Sequence, residues 1–140
     1  MECIENKKLI EDYPWLLPRN RWTDKVTEDY DYSYTELDDL PKGWKDLAID
    51  LCKEIKPILE KVNYVNDFRI AQWKEKYGSL RLYYNAIPST IMDKLEDIIS
   101  KYEKLSKEKC VVCGEKGEID YNAYWLEPLC QKHRKEINNG

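Results

Sequence analysis

Cys110-Val111-Val112-Cys113-Gly114, answered further along by Leu129-Cys130-Gln131-Lys132-His133, is the stretch on which the reading of this chain turns. Two residues between a pair of thiols let both sulfurs reach one ion, and the glycine that follows relieves crowding at the turn. A second pair, Cys130 and His133, completes the four nitrogen and sulfur ligands that Zn2+ prefers in tetrahedral geometry. A helix beginning near Pro128 would carry Cys130 and His133 in its first turn on one side, since residues three apart are neighbours there. Between the pairs, Gly117 and the segment 119–126 suit a short hairpin. Knuckle, hairpin and ligand-bearing helix make a treble-clef-like finger. The competing account, unrelated core cysteines with a surface histidine, leaves the paired spacing unexplained.

Four filled positions leave no place for a reactive water, whereas a catalytic zinc keeps one open, so the expected Zn2+ is single and structural. A segment this short has too little core to fold alone, and the metal is expected to supply roughly 10–16 kcal/mol, as in comparable zinc peptides. Treble-clef frames also occur in nucleases of the His-Asn-His type, which place a general-base histidine between the two ligand pairs. Here residues 115–128 contain no histidine, and the chain's single histidine is taken as a ligand. That leaves a degenerate nuclease as a distant alternative to a non-enzymatic protein.

Outward from the finger, Ile91, Met92, Leu95, Ile98, Ile99, Tyr102 and Leu105 recur at helical spacing after the turn Asn85-Ala86-Ile87-Pro88-Ser89, which is expected to cap the helix. Before it, residues 68–75 and 79–84 alternate as strands around Lys76-Tyr77-Gly78-Ser79, a hairpin whose register sequence alone does not fix. Another helix opens at Pro41-Lys42-Gly43-Trp44 and carries Trp44, Leu47, Leu51, Ile55, Ile58 or Leu59, and Val62 on one face, with Pro57 expected to kink or restart it. A short helix is expected over Ile4–Asp12, ended by the prolines Pro14 and Pro18. The fold class is therefore α+β: two amphipathic helices packed on a β-hairpin, with the finger at the C-terminus. The chain divides into an acidic-aromatic segment 1–40, a helix-hairpin-helix core 41–106 and a finger module 107–140.

Composition limits what such a chain can do. Its 140 residues suit one compact domain with a small appendage, and 36% charged residues are balanced by five Trp and eleven Tyr able to build a core. There is no run of about 20 apolar residues to cross a bilayer and no hydrophobic leader near Met1, so a cytoplasmic protein is expected. Five cysteines, an odd number, fit reduced thiols and metal better than disulfides. Cys52 lies in an apolar helical stripe as core, and Cys3 falls in a terminus without a pattern. Residues 1–40 hold eleven acids against five bases while the whole chain is only -4, so the remainder is weakly basic. No segment has the basic excess on which duplex binding by counterion release depends, which disfavours nucleic acid. Calcium-loop, phosphate-loop, nucleophile-elbow and dinucleotide patterns are all missing.

Arg21-Trp22-Thr23, Tyr30-Asp31-Tyr32, Thr35-Glu36-Leu37-Asp38, Pro41-Lys42-Gly43-Trp44, Lys74-Glu75-Lys76-Tyr77-Gly78-Ser79-Leu80-Arg81 and the terminal Cys-x-x-Cys-Gly give the chain, over about residues 13–134, a resemblance to small uncharacterised proteins of bacteriophages, prophages and other mobile elements. It differs in Ser79, where such proteins often have a second glycine, and in His133, where they often have cysteine. The resemblance implies origin rather than chemistry: small acidic phage proteins commonly act by binding a component or a signalling nucleotide of host immunity.

The leading expectation is thus a zinc-stabilised binding protein, an inhibitor of a host defence factor, with a host protein or small nucleotide as partner. Its recognition surfaces would be the segment 19–40, through Trp22, Asp29, Tyr30, Asp31 and Tyr32, and the hairpin, where Arg69, Trp73, Arg81 and Tyr83 could form a stacking face. Aromatics give large contact area at low entropy cost, and acids steer toward basic partners. The alternative is a nucleic-acid-binding finger using Lys132, Arg134 and Lys135 on phosphates.

Overall fold

The computed structural model describes residues 4–123 and 126–139, and the fold is α+β with four α-helices and one two-stranded antiparallel hairpin among them. Cys3 lies outside the described residues. Helix α1 spans Ile4–Asp12, α2 Lys45–Lys61, α3 Ser89–Ser106 and α4 Gln131–Asn139; strands β1 and β2 span Ile70–Lys76 and Ser79–Tyr84.

The helical stripes read from sequence form the core. Leu47, Ala48, Leu51, Cys52, Ile55 and Leu59 of α2 are buried, as are Ile91, Leu95, Ile99 and Tyr102 of α3. The two helices pack on each other, and α3 also packs on β2. The α3 stripe is narrower than its apolar residues suggest, since Met92 and Leu105 are exposed. Two local expectations are corrected. Helix α2 runs unbroken through Pro57, which lies on its exposed face, where water can satisfy the carbonyl deprived of a donor. Helix α3 begins at Ser89 after Pro88, and no side chain caps it.

The hairpin settles which residues face inward. Trp73 pairs with Leu82 and Glu75 with Leu80, while the register slips between Ile70 and Gln72. That bulge at Ala71 takes up one residue, so Ile70 and Trp73 share the buried face although their spacing is odd. At the turn, Tyr77 and Gly78 both adopt left-handed backbone, with φ of 53° and 85°. Ser106 ties hairpin to helix: its hydroxyl accepts from the Leu80 N–H at 2.8 Å and donates to the Glu103 carbonyl at 2.6 Å.

Residues 13–44 form an ordered strap across this core. Trp15 and Leu16 are buried, and the Trp15 indole N–H points at the Cys52 sulfur, 3.2 Å away. Thr35 and Asp38 make a reciprocal capping box for a short 3-10 helix over Glu36–Asp39. The Glu36 carboxylate, buried there, takes both terminal nitrogens of Arg21 at 2.9 Å each. No helix among the described residues is long and apolar enough to cross a membrane.

Candidate metal centre

Three bonds build the knuckle that presents the first two ligands. After α3, Cys110 donates its N–H to the Glu115 carbonyl at 2.8 Å, and Gly114 returns one to the Cys110 carbonyl at 2.9 Å. Gly114 reaches this turn with φ of 80°, a conformation that a side chain would strain. The Val111 N–H then reaches the Pro128 carbonyl at 3.0 Å, drawing the second ligand pair toward the first. Two isolated antiparallel bridges, Lys109 with Lys116 and Glu118 with Leu129, flank the interval between the pairs. The hairpin expected over 119–126 is not formed among its described residues, which carry no strand; residues 124 and 125 lie outside the described residues. Cys130 immediately precedes α4, and its carbonyl accepts from the Arg134 N–H at 3.0 Å. The positive end of the helix dipole therefore lies beside the thiols, where it favours negative charge.

The ligand atoms of Cys110, Cys113, Cys130 and His133 lie within 4.8 Å of one another, a group able to hold one metal ion. An ion bound tetrahedrally at about 2.3 Å from sulfur and 2.0–2.1 Å from nitrogen would set two sulfurs about 3.8 Å apart and a sulfur about 3.6 Å from a nitrogen. The Cys113 and Cys130 sulfurs are 3.8 Å apart, and the Cys110 sulfur is 3.6 Å from His133 Nδ1. Cys130 lies closer to that nitrogen, at 3.1 Å. The histidine thus turns Nδ1 to the thiols and leaves Nε2 facing the Glu136 carboxylate, 3.9 Å away.

Acidity within the cluster is divided. Burial pushes the Cys110 thiol up, but backbone N–H groups of Cys130, Cys113 and Val112 outweigh it and bring the group down to about 6. Cys113 moves the other way: the Glu115 N–H favours its thiolate, and burial together with the neighbouring sulfurs of Cys110 and Cys130 overcomes that pull. One thiolate forms readily, and the next is resisted by its neighbours unless a cation arrives to share them.

The finger is built against the core. Gly43 N–H donates to the Val111 carbonyl at 2.8 Å, and the buried Trp44 indole donates to the Lys109 carbonyl at 2.9 Å. A Cβ at Gly43 would lie 2.1 Å from the Cys110 carbonyl oxygen. At the hairpin turn, a Cβ on Gly78 would meet the Leu126 carbonyl oxygen at 2.2 Å. Cys110, Val111 and Leu129 belong to the same buried cluster as α2 and α3.

The sequence-predicted recognition residues are not one surface. Trp73 is corrected to core: it is 2% exposed, it faces away from Arg81 and Tyr83, and its indole donates to the Glu36 carbonyl at 2.6 Å. Arg81 pairs with Glu103 at 3.2 Å, and Tyr83 is exposed beside it on the outer face. The Arg69 side chain turns from the hairpin face to the strap and grips Asp24 through Nε and Nη2, at 2.8 and 3.3 Å. In the segment 19–40, Asp29 and Asp31 are exposed, and the rings of Tyr32 and Tyr34 lie 4.9 and 5.2 Å from that of Tyr30. Trp22 is 95% exposed, on a turn whose Trp22 and Thr23 N–H groups both donate to the Asn20 side chain at 2.8 and 3.0 Å. Arg19, Arg21, Asp24 and Glu36 were not read as site residues; the one signal available was a pair of arginines in an acidic segment. Compared with protein-family models, curated proteins and solved structures, the chain returns no match.

Proposed function

We propose that this chain is a non-enzymatic binding protein of bacteriophage or other mobile-element origin, locked at its C-terminus by one structural Zn2+ in a treble-clef-like finger. Three thiols and one imidazole, their ligand atoms within 4.8 Å of one another, suit Zn2+ better than the hard cations that seek oxygen. Four protein ligands also leave no coordination position for a substrate. The recognition surface is the strap 19–40, and its target is a host protein or a small signalling nucleotide, as expected of an inhibitor of a host defence factor.

The observation that carries this reading is Trp22, 95% exposed on a turn fixed by the Asn20 side chain. A large exposed aromatic carried on a fixed turn gains contact area on docking, the usual character of a binding hot spot. Exposed Asp29 and Asp31 lie nearby in sequence and would steer a basic partner. The alternative, nucleic-acid binding by the last helix, is weakened because the Arg134 guanidinium donates to the Glu118 carbonyl within the finger.

Native mass spectrometry of protein recovered from its host tests the reading. Wild type is expected to carry one Zn2+ and a bound partner, and Trp22→Ala to keep the metal and lose the partner. Charge reversal at Asp29 and Asp31 is expected to weaken capture more at low salt than at high salt. A partner retained equally by Trp22→Ala, or none recovered with wild type, would overturn it.

A further inference from the structure

Arg19, Arg21 and Arg69 come from two separate parts of the chain to line one pocket of about 100 Å³, with Asp24 at its wall. We propose that this pocket binds the phosphoryl group of a small ligand. The inference rests on the reading of 19–40 as a recognition surface and gives that surface a ligand class.

Charge is the first argument. Three guanidiniums line the pocket; Arg21 is held by the buried Glu36 carboxylate and Arg69 by Asp24, which leaves one guanidinium, that of Arg19, in excess although residues 1–40 are strongly acidic. A concave site with one positive charge in excess is suited to an anion.

The second argument is an unmade bond. Arg19 Nε is buried and has no hydrogen-bond partner among the described residues, although its Nη1 donates to the Asp24 backbone carbonyl at 2.8 Å. Buried donors are nearly always satisfied, so this one, on a residue that lines the pocket, marks a missing partner. Arg69 shows how the pocket grips an oxyanion. Its Nε and Nη2 hold the two oxygens of the Asp24 carboxylate, which is itself more than half exposed and sits at a left-handed φ of 59°. Asp24 acts as an internal counter-anion, and an incoming anion would compete with it for Arg69 and Arg19.

Size and shape narrow the ligand. Set against the ~150 Å³ of an engineered cavity that takes benzene, the volume is enough for one tetrahedral oxyanion and too little for a base and sugar together. Arg19, and Arg69 once released from Asp24, suit a group with several equivalent oxygens. Anything attached to the phosphoryl group must lie outside, where the turn that carries Arg21 also carries the exposed ring of Trp22. A stacked base there would join both features.

Calorimetric titration of the metal-loaded full chain at constant ionic strength, with inorganic phosphate, AMP and adenosine as probes, tests the site. Phosphate and AMP are expected to bind and adenosine not to. Arg19→Gln should weaken both about tenfold or more, since charge-assisted bonds are the strong ones. Asp24→Asn should strengthen both several-fold, because asparagine keeps the left-handed turn and removes the competing charge. If the arginines served only to tie the strap to the hairpin, Asp24→Asn would lower thermal stability and leave phosphate affinity no higher. AMP tighter than phosphate, with the excess lost in Trp22→Ala, would identify a nucleotide; equal affinities would identify phosphate itself. Should Arg19→Gln fail to fold, the Asp24→Asn arm still decides. Absence of phosphate and AMP binding at millimolar concentration in both wild type and Asp24→Asn would overturn the proposal. A partner whose capture still depended on Trp22 would then leave the recognition surface standing without a phosphoryl site.

Discussion

Replacing Gly43 by alanine adds one methyl group at the place where core and finger touch most closely. Its Cβ would lie 2.1 Å from the Cys110 carbonyl oxygen, 2.7 Å from the Gly114 nitrogen and 2.8 Å from the Val111 carbonyl carbon. All three are backbone atoms of the knuckle, so no flexible side chain can swing aside. Overpacking of this kind costs roughly 1–3 kcal/mol. Relief requires the strands of chain to part, which stretches the Gly43 to Val111 hydrogen bond and adds about 1 kcal/mol. Gly43 does not have a left-handed φ, so alanine is not strained in itself and recovers roughly 0.4–1 kcal/mol from the unfolded chain. The net loss is about 1–3.5 kcal/mol, or roughly 4–14 °C in melting temperature for a chain of this size. Because the clash exists only while the knuckle is docked, thermal melts with and without chelator should separate it from a general defect. Metal-loaded Gly43→Ala should melt well below metal-loaded wild type, and the gap should narrow after chelation. Competition with a chromophoric chelator should show weaker metal binding in the variant. A variant that melted within 1 °C of wild type and held its metal equally well would refute the docking argument.

Elemental analysis should give one zinc per chain; Cys113→Ser and Cys130→Ser should lose it, Cys52→Ser should keep it, and His133→Cys should keep it because a thiolate can replace an imidazole in a closed site. Chelation should release residues 110–135 and leave α2, α3 and the hairpin folded, as amide hydrogen exchange would report. Burial pushes the Cys52 thiol up to about 12, whereas an unfolded thiol ionises near 9, so only the unfolded state sheds this proton between those values. The stability of wild type relative to Cys52→Ser should therefore fall as pH rises above about 9, and a difference independent of pH would contradict the buried thiol. Burial likewise raises the Glu36 carboxyl against the opposing pull of Arg21, so protonation favours the fold and ionisation disfavours it. Arg21→Ala should destabilise by about 1–3 kcal/mol at pH 7, a buried-pair loss discounted for the partial exposure of Arg21, and by less near pH 4; Glu36→Gln in the same chain should restore most of the loss.

Legibility in the sequence followed the reach of each interaction. The ligands Cys110, Cys113, Cys130 and His133 could be read because knuckle and first-turn spacings are local rules, and the stripes of α2 and α3 because helical period is local too. The bulge at Ala71 was hidden, since nothing in the β1 residues alone says where the ladder slips, and with it the inward turn of Trp73. The order of the strap was hidden for a different reason. It depends on partners far along the chain, Arg69 for Asp24, Cys52 for Trp15 and Trp73 for the Glu36 carbonyl. Gly43 looked like an ordinary helix-opening glycine until the knuckle was seen lying on it.

That contact couples two stretches that will not drift independently as such chains diverge. The absence of a side chain at residue 43 and the indole at residue 44 are imposed by the backbone of residues 109–114. A related chain that shed its four ligands would lose the knuckle, and with it the selection that keeps the pair Gly43-Trp44. In an aligned set of relatives, glycine-tryptophan at this point and the paired cysteines should be gained and lost together, although they stand far apart in sequence.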